Sequence, residues 1–215
     1  MIRCALRSTG WFAALVLAGP VPAGAQLGDA NFPVRLSLTP YLGLLIPTRD
    51  LIDYQNHKTR LSVMVTWGGR LGLDIKQRVS IDAGVAYSPG SVEFLAGSTD
   101  VNERVHVLSG SGRVTLFLLR HNAPFWIGLI GGVGAVRHTF HQAGYADSLI
   151  RPGTRVGALV GVSMGVRLGR VIAFNVGAED HVYTAYFDVQ GTKTSELRQH
   201  DIRIVGGVHI PFLGF

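Results

Sequence analysis

Residues 34–46, VRLSLTPYLGLLI, alternate between two kinds of side chain with a period of two. One side carries Val34, Leu36, Leu38, Pro40, Leu42, Leu44 and Ile46, and the other carries Arg35, Ser37, Thr39, Tyr41 and Gly43. Strands of globular proteins are usually about 5–6 residues long. A strand that crosses a bilayer at a tilt needs about 9–11 residues. The stretch therefore predicts a β-strand long enough to span a membrane.

The same period recurs in seven further segments, so the chain is predicted to contain eight strands. Their connections alternate strictly in length. We expect long connections at about 47–60, 89–104, 138–153 and 186–199, and tight turns at 76–78, 120–124 and 169–170. In the fourth strand the period slips near Val107 and Leu108, which predicts a β-bulge.

This rhythm predicts an all-β fold, an eight-stranded antiparallel up-and-down transmembrane β-barrel with both ends of the chain on the short-turn side. The strands are long, and their polar faces combine arginines with acidic residues and many of the 28 glycines. Small and paired charged residues suit the narrow interior of such a barrel. We therefore expect the aliphatic faces to point outward, the reverse of a soluble barrel.

The first 25 residues have the pattern of a cleavable signal peptide. Arg3 and Arg7 precede the apolar run 11–18, and residues 23–25 (AGA) fit a cleavage site. The run is much shorter than the roughly 20 residues of a spanning helix, which argues against a membrane anchor. We predict a signal peptide over 1–25 and a single barrel domain over 26–215. Cys4, the one cysteine of the chain, lies in the leader.

Composition excludes two other classes of protein. No later window contains 18 consecutive apolar residues, so a helical membrane protein is excluded. The formal net charge is +6, but the lysines and arginines are scattered singly, which argues against nucleic-acid binding. Attraction to anionic lipid head groups fits this charge better.

Charged side chains on the polar faces form the main candidate site. They either line a pore or pair with one another and close the lumen. An eight-stranded barrel is barely wide enough for its own side chains, and unpaired buried charges are costly, so we favour a closing network. The predicted lumen charges are Arg35, Arg70, Asp74, Asp82, Arg113, Arg155, Arg167, Glu179 and Arg203.

Other patterns give weaker signals. Glu179, His181 and Tyr183 share one face of the seventh strand and would need a serine to form a hydrolytic triad. The histidines at 106, 138 and 141 lack the cysteines or dense carboxylates of a zinc site. The glycines at 131–134 lie within a strand, outside the context of a phosphate loop. We predict no catalytic residue, no cofactor site and no metal site. Aromatic residues near strand ends suit an interfacial girdle, namely Trp67, Tyr87, Phe125, Trp126, Phe174 and Phe212.

Over residues 32–215 the chain resembles the eight-stranded bacterial outer-membrane barrels of the OmpA/OmpX/OmpW type. The strand count, the alternation of loops, the leader and Phe215 carry this resemblance. Barrels of this type commonly end in an aromatic residue that the assembly machinery reads, and alternate preceding positions are apolar. Phe215 and Leu213 match that signal, whereas Pro211 and His209 depart from it.

The resemblance implies a location in the outer membrane. It implies contacts with outer-membrane lipid, lipopolysaccharide and the assembly machinery. The expected function is non-enzymatic, a structural or surface-interaction role through the four long loops. A narrow channel for small or apolar solutes is the alternative. A lipid A-modifying hydrolase is a third possibility, although the His-x-Ser pattern of the lipid A deacylases is absent, since Leu108 follows His106 at that spacing and Tyr183 follows His181.

Overall fold

A computed structural model describes residues 34–50, 52–54, 57–76, 78–96, 99–121, 123–141, 153–168, 172–185, 188–189, 192–193 and 197–214. The predicted signal peptide, the turn at 169–170 and Phe215 lie outside these residues. The strands of the described chain are β1 (Val34–Pro47), β2 (Ile52–Tyr54), β3 (His57–Leu61), β4 (Met64–Ile75), β5 (Val79–Ala96), β6 (Thr99–Phe117), β7 (Phe125–His141), β8 (Thr154–Leu168), β9 (Ile172–Ala185), β10 (Asp188–Val189), β11 (Thr192–Lys193) and β12 (Leu197–Gly214).

Eight of these strands form a closed antiparallel ring. The order around the ring is β1, β4, β5, β6, β7, β8, β9 and β12, and β12 pairs back with β1. Closure leaves none of the eight strands with an unpaired edge. The predicted fold, an eight-stranded up-and-down barrel, is therefore confirmed.

The two ends of the barrel differ, as the alternation of connections predicts. The short-turn end carries the turns after β4 and β6, together with Val34 and Gly214. The turn after β4 includes Lys76, whose φ of 47° is left-handed. The opposite end, called the long-loop end below, carries the β2–β3 and β10–β11 hairpins. No helix in the described residues is long and apolar enough to cross a membrane.

The predicted long connection at 89–104 is wrong. The β5–β6 ladder runs without a break from Val79 paired with Leu116 to Ala96 paired with Thr99, so this segment is an extended hairpin. Polar residues interrupt the apolar period there, but Val92 and Val105 are buried in the lumen, and the backbone pairing continues around them. The predicted loops at 138–153 and 186–199 are also too long, because β7 continues to His141 and β12 begins at Leu197.

The predicted bulge near Val107 and Leu108 is also wrong. Both ladders of β6 keep their register through these residues. The apolar period slips for a different reason: Val107 is buried inside the barrel, whereas Leu108 is 52% exposed on the outside. A break does occur between β3 and β4, and it turns Leu61 inward although its alternation predicts an outward position.

The seam between the first and last strands is the irregular part of the ring. Leu36 pairs with Leu213 and Ser37 pairs with Pro211, which leaves Phe212 as an extra residue, so Phe212 and Leu213 are both exposed. Proline has no N–H to donate to a regular ladder, so within a sheet it is found at bulges such as this one. The seam ladder then pairs Leu38 with Ile210 and resumes at Tyr41 with Gly207, on either side of Pro40.

The two faces of the barrel follow the predicted alternation. Aliphatic side chains form an exposed belt around the outside, with Leu42, Val85 and Val133 each more than half exposed. Hydroxyl and charged side chains of the same strands are buried inside, including Thr66 and Ser109. An exterior of this kind is suited to lipid.

Candidate functional site in the barrel lumen

The lumen contains three layers of side chains. An outer apolar cluster fills the long-loop end, and a central charge network lies in the middle. An inner-rim cluster, formed by Asp74, Phe117, His121, Trp126 and His209, lies at the short-turn end. The outer apolar cluster comprises Leu45, Leu61, Met64, Val92, Val105, Val107, Val136, Phe140, Tyr183 and Ala185. Each of these side chains is at most 4% exposed, so this layer is closely packed.

The central charge network is built around Glu179 on β9. Arg70 Nη2 on β4 donates to Glu179 Oε1 at 2.7 Å, and Arg113 Nη1 on β6 donates to the same oxygen. Arg113 Nε lies 3.3 Å from Asp82 Oδ2, and Ser80 donates to the other oxygen of Asp82 at 3.2 Å. All four charged side chains are more than nine-tenths buried. Two arginines and two carboxylates therefore connect four strands, β4, β5, β6 and β9, across the lumen.

Two further contacts hold arginines in this layer. The Arg70 guanidinium lies 4.2 Å from the centre of the Tyr41 ring, a cation–π contact. Arg203 Nη2 donates to Ser109 Oγ at 2.6 Å. The Tyr41 ring therefore adds a second partner for Arg70, and the Ser109 hydroxyl accepts a hydrogen bond from Arg203.

The remaining predicted lumen charges lie nearer the two ends of the barrel. Asp74 belongs to the inner-rim cluster, and Arg167 Nη2 donates to the backbone carbonyl of His121 at 3.1 Å. Arg35 and Arg155 are half-buried close to the ends of their strands. The nine charges are thus spread along the lumen, and four of them form the central network.

The candidate triad residues on β9 do not form a catalytic arrangement. They share the inner face, but Glu179 is engaged by two arginines, and its Oε2 lies 4.0 Å from His181 Nε2. Tyr183 donates instead to Asp201 Oδ2 at 2.8 Å. Neither ring nitrogen of His181 has a hydrogen-bond partner in the described part of the chain.

Of the histidines considered as metal ligands, the two with described side chains, His106 and His138, do not converge. His106 is half-buried, and its Nδ1 lies 2.6 Å from the Tyr87 hydroxyl. Tyr87 contacts Trp67 edge to face, with ring centres 5.5 Å apart. Trp67 and Tyr87 thus form an aromatic patch of the kind expected for a girdle. His138 is buried in the lumen, and the side chain of His141 lies outside the described residues. Trp126, expected in the girdle, is only 3% exposed, so that expectation is wrong.

The inner-rim cluster comprises Asp74, Phe117, His121, Trp126 and His209. His209 Nε2 lies 3.1 Å from Asp74 Oδ2. The His121 ring stacks on Phe117 at 4.4 Å and lies 4.8 Å from the His209 ring. Burial, helped by the nearby His209, lowers the pKa of His121 to about 4, so this turn residue is neutral at pH 7.

A small polar cavity of about 30 Å³ separates the inner-rim cluster from the central charge network. The sequence predicts the inward positions of Asp74 and His209 but not those of His121 and Trp126. His121 lies in a turn without periodicity, and the ring of Trp126 points into the lumen at a strand end where an outward position was expected. The inward position of His209 does follow from the alternation of β12.

Comparison with known proteins supports the architecture. No family model matches the sequence, and no curated protein matches it significantly. The solution NMR structure of E. coli outer membrane protein W is similar with a TM-score of 0.55 at 13% identity, over 85% of this chain and 100% of that one. The solid-state NMR structure of outer membrane protein AlkL in lipid bilayers is similar with a TM-score of 0.51 at 10% identity, over 86% of this chain and 93% of that one. The chain therefore has the eight-stranded β-barrel fold that these outer-membrane proteins share.

Proposed function

We propose that the protein is a bacterial outer-membrane barrel without enzymatic activity, closed to ions at rest, which acts through the surface of its long-loop end. The observation that carries this proposal is the filling of the lumen. A densely packed apolar cluster occupies the long-loop end, a network of four buried, paired charges lies in the middle, and the rings of the inner-rim cluster lie at the short-turn end. A barrel filled in this way is suited to be a rigid scaffold.

The exterior supports the membrane location. The belt of exposed aliphatic residues covers strands all around the barrel, which water would disfavour and hydrocarbon accommodates. The same fold in two outer-membrane proteins and the predicted signal peptide point the same way. The partners that follow are outer-membrane lipid, lipopolysaccharide and the assembly machinery.

The long-loop end supports a surface role. The β5–β6 hairpin continues for eight residue pairs beyond Ser88, and the short β2–β3 hairpin pairs with it through β3. This end therefore presents paired strands held on a rigid barrel, a common setting for recognition.

Wild-type barrel reconstituted in planar bilayers is expected to show no steady single-channel conductance, because buried side chains of the outer apolar cluster and the central charge network occupy the lumen. A wide porin added afterwards to the same bilayer is the positive control. Steady conductance from the wild-type barrel would contradict the proposal and favour the narrow channel. A mass shift of lipid A on expression would instead favour the hydrolase.

A cysteine placed at the long-loop end is expected to react with a membrane-impermeant maleimide on intact cells. Arg49→Cys is suited to this because Arg49 is exposed just beyond β1. Lys76→Cys is the matched control at the short-turn end, and it is expected to react only after the cells are opened. The reverse pattern of labelling would mean that the barrel has the opposite orientation. Cys4 lies in the predicted leader and gives no background after processing.

A further inference from the structure

Three potential metal ligands converge at the short-turn end of the lumen, from separate parts of the chain. Asp74 comes from β4, His121 from the turn after β6, and His209 from β12. One ligand atom from each lies within 4.8 Å of the others. All three side chains are more than nine-tenths buried, and all three line the cavity of about 30 Å³. This cavity has room for one small occupant.

The hydrogen bonds of this cluster are incomplete. Asp74 Oδ1 and His209 Nε2 have no hydrogen-bond partner within the described chain, and the 3.1 Å contact between Nε2 and Asp74 Oδ2 lacks hydrogen-bond geometry. His209 Nδ1 lies 3.2 Å from Thr39 Oγ1. If Nδ1 donates to Thr39, Nε2 presents its lone pair to the cavity beside a carboxylate. A cation between these two acceptors would satisfy both.

We propose that Asp74, His121 and His209 bind one divalent transition-metal ion at the short-turn end of the lumen. Two imidazoles and one carboxylate form a donor set that proteins use for zinc, with water in the fourth position. Imidazole nitrogens also favour the later first-row metals over Mg²⁺ or Ca²⁺. Thr39 acts as a positioning residue, since an outer hydrogen bond to a ligating histidine fixes its tautomer and orientation.

The surroundings of the site both favour and oppose the ion. Phe117 and Trp126 form an aromatic wall against His121, with the Trp126 ring 5.1 Å away, and this wall limits access of water. Arg35 and Arg167 place positive charge near His121, which works against a cation. We therefore expect an affinity weaker than that of a structural zinc site rich in cysteines.

The test is isothermal titration of the folded barrel, free of any polyhistidine tag and held in detergent micelles, with ZnCl₂ as the probe. One ion per barrel is expected. His209→Ala and Asp74→Asn are each expected to weaken binding more than about 100-fold, beyond the cost of changing an outer-shell partner, and Thr39→Val about 10-fold. His200→Ala is the matched control, because His200 pairs with Asp180 near the long-loop end. Its affinity is expected to match that of the wild type.

A second probe reports on geometry. CoCl₂ is expected to give visible absorption bands of a low-symmetry site and to quench the fluorescence of Trp126, and Trp126→Phe removes the quenching but keeps the bands. Heat-modifiable migration on gels confirms that each variant is folded. If Asp74→Asn does not fold, Thr39→Val still tests the site because it retains every ligand. Absence of Zn²⁺ binding by the wild type, or equal binding by wild type and His209→Ala, would overturn the proposal.

Discussion

Glu179→Ala is expected to lower the free energy of unfolding by about 3–5 kcal/mol, the usual cost of removing one partner of a buried ion pair. Glu179 Oε1 accepts hydrogen bonds from both Arg70 and Arg113, and Glu179 is only 2% exposed. Removing the carboxylate leaves Arg70 without its ion-pair partner and Arg113 with Asp82 as its remaining ion pair in the described lumen. The measurement is urea unfolding of the barrel from phospholipid vesicles.

Two controls sharpen this result. Glu93→Ala removes an exposed carboxylate from the long-loop end of β5, and it is expected to leave stability almost unchanged. Glu179→Gln keeps the shape but loses the charge, and it is expected to fall between the wild type and Glu179→Ala. Conductance that emerges only in Glu179→Ala would support a closing network. A loss no larger than that of Glu93→Ala would mean that the network does not hold the lumen together.

Val160→Arg is expected to cost about 2–4 kcal/mol in the same assay, because an arginine on the lipid face near the bilayer midplane is strongly unfavourable. Val160 is 52% exposed and lies near the middle of β8. Val156→Arg is the matched control on the same face. Val156 is 72% exposed but lies at the long-loop end of the strand, where the cost falls to about 0–1 kcal/mol.

Ser163→Arg tests the opposite face of β8. Ser163 lines the cavity beside Asp74 and Asp82, so an arginine there would have acidic neighbours, although its bulk must be accommodated. We expect a smaller loss than for Val160→Arg. If Ser163→Arg proved the more damaging of the two, or if Val156→Arg cost as much as Val160→Arg, the assignment of faces and depth would be wrong.

The architecture could be predicted from the sequence because a strand records its two faces in every second residue. The alternation in β8 predicts the exposure of Val160 and Val162 and the inward position of Arg155 without knowledge of any partner. The alternation does not predict the strand where both of its faces carry apolar residues. Val105 and Val107 point inward, whereas the apolar residues of the other strands mostly point outward. An alternation with apolar residues outside therefore predicts a loop and a bulge, although the β5–β6 hairpin is continuous.

The contacts of the lumen depend on information that a single strand does not carry. Arg113 and Asp82 are direct neighbours in the β5–β6 ladder, so their pairing follows once the register is known. Arg70 and Glu179 are 109 residues apart and meet across the lumen, which no local spacing indicates. The inner-rim cluster also needs a turn residue, His121, whose inward position depends on how the turn folds back over the lumen.

The two prolines of the β1–β12 seam have a consequence for how the ring opens. Neither Pro40 nor Pro211 contributes an amide proton, and the bulge at Phe212 interrupts the ladder, so β1 and β12 share fewer backbone hydrogen bonds near the short-turn end. The Thr39–His209 contact crosses the joint where the backbone ladder is interrupted, and Asp74 reaches His209 from the adjoining strand. An ion bound here would connect β12 to β4 and to the turn after β6. The first and last strands would then separate more slowly when the ion is bound.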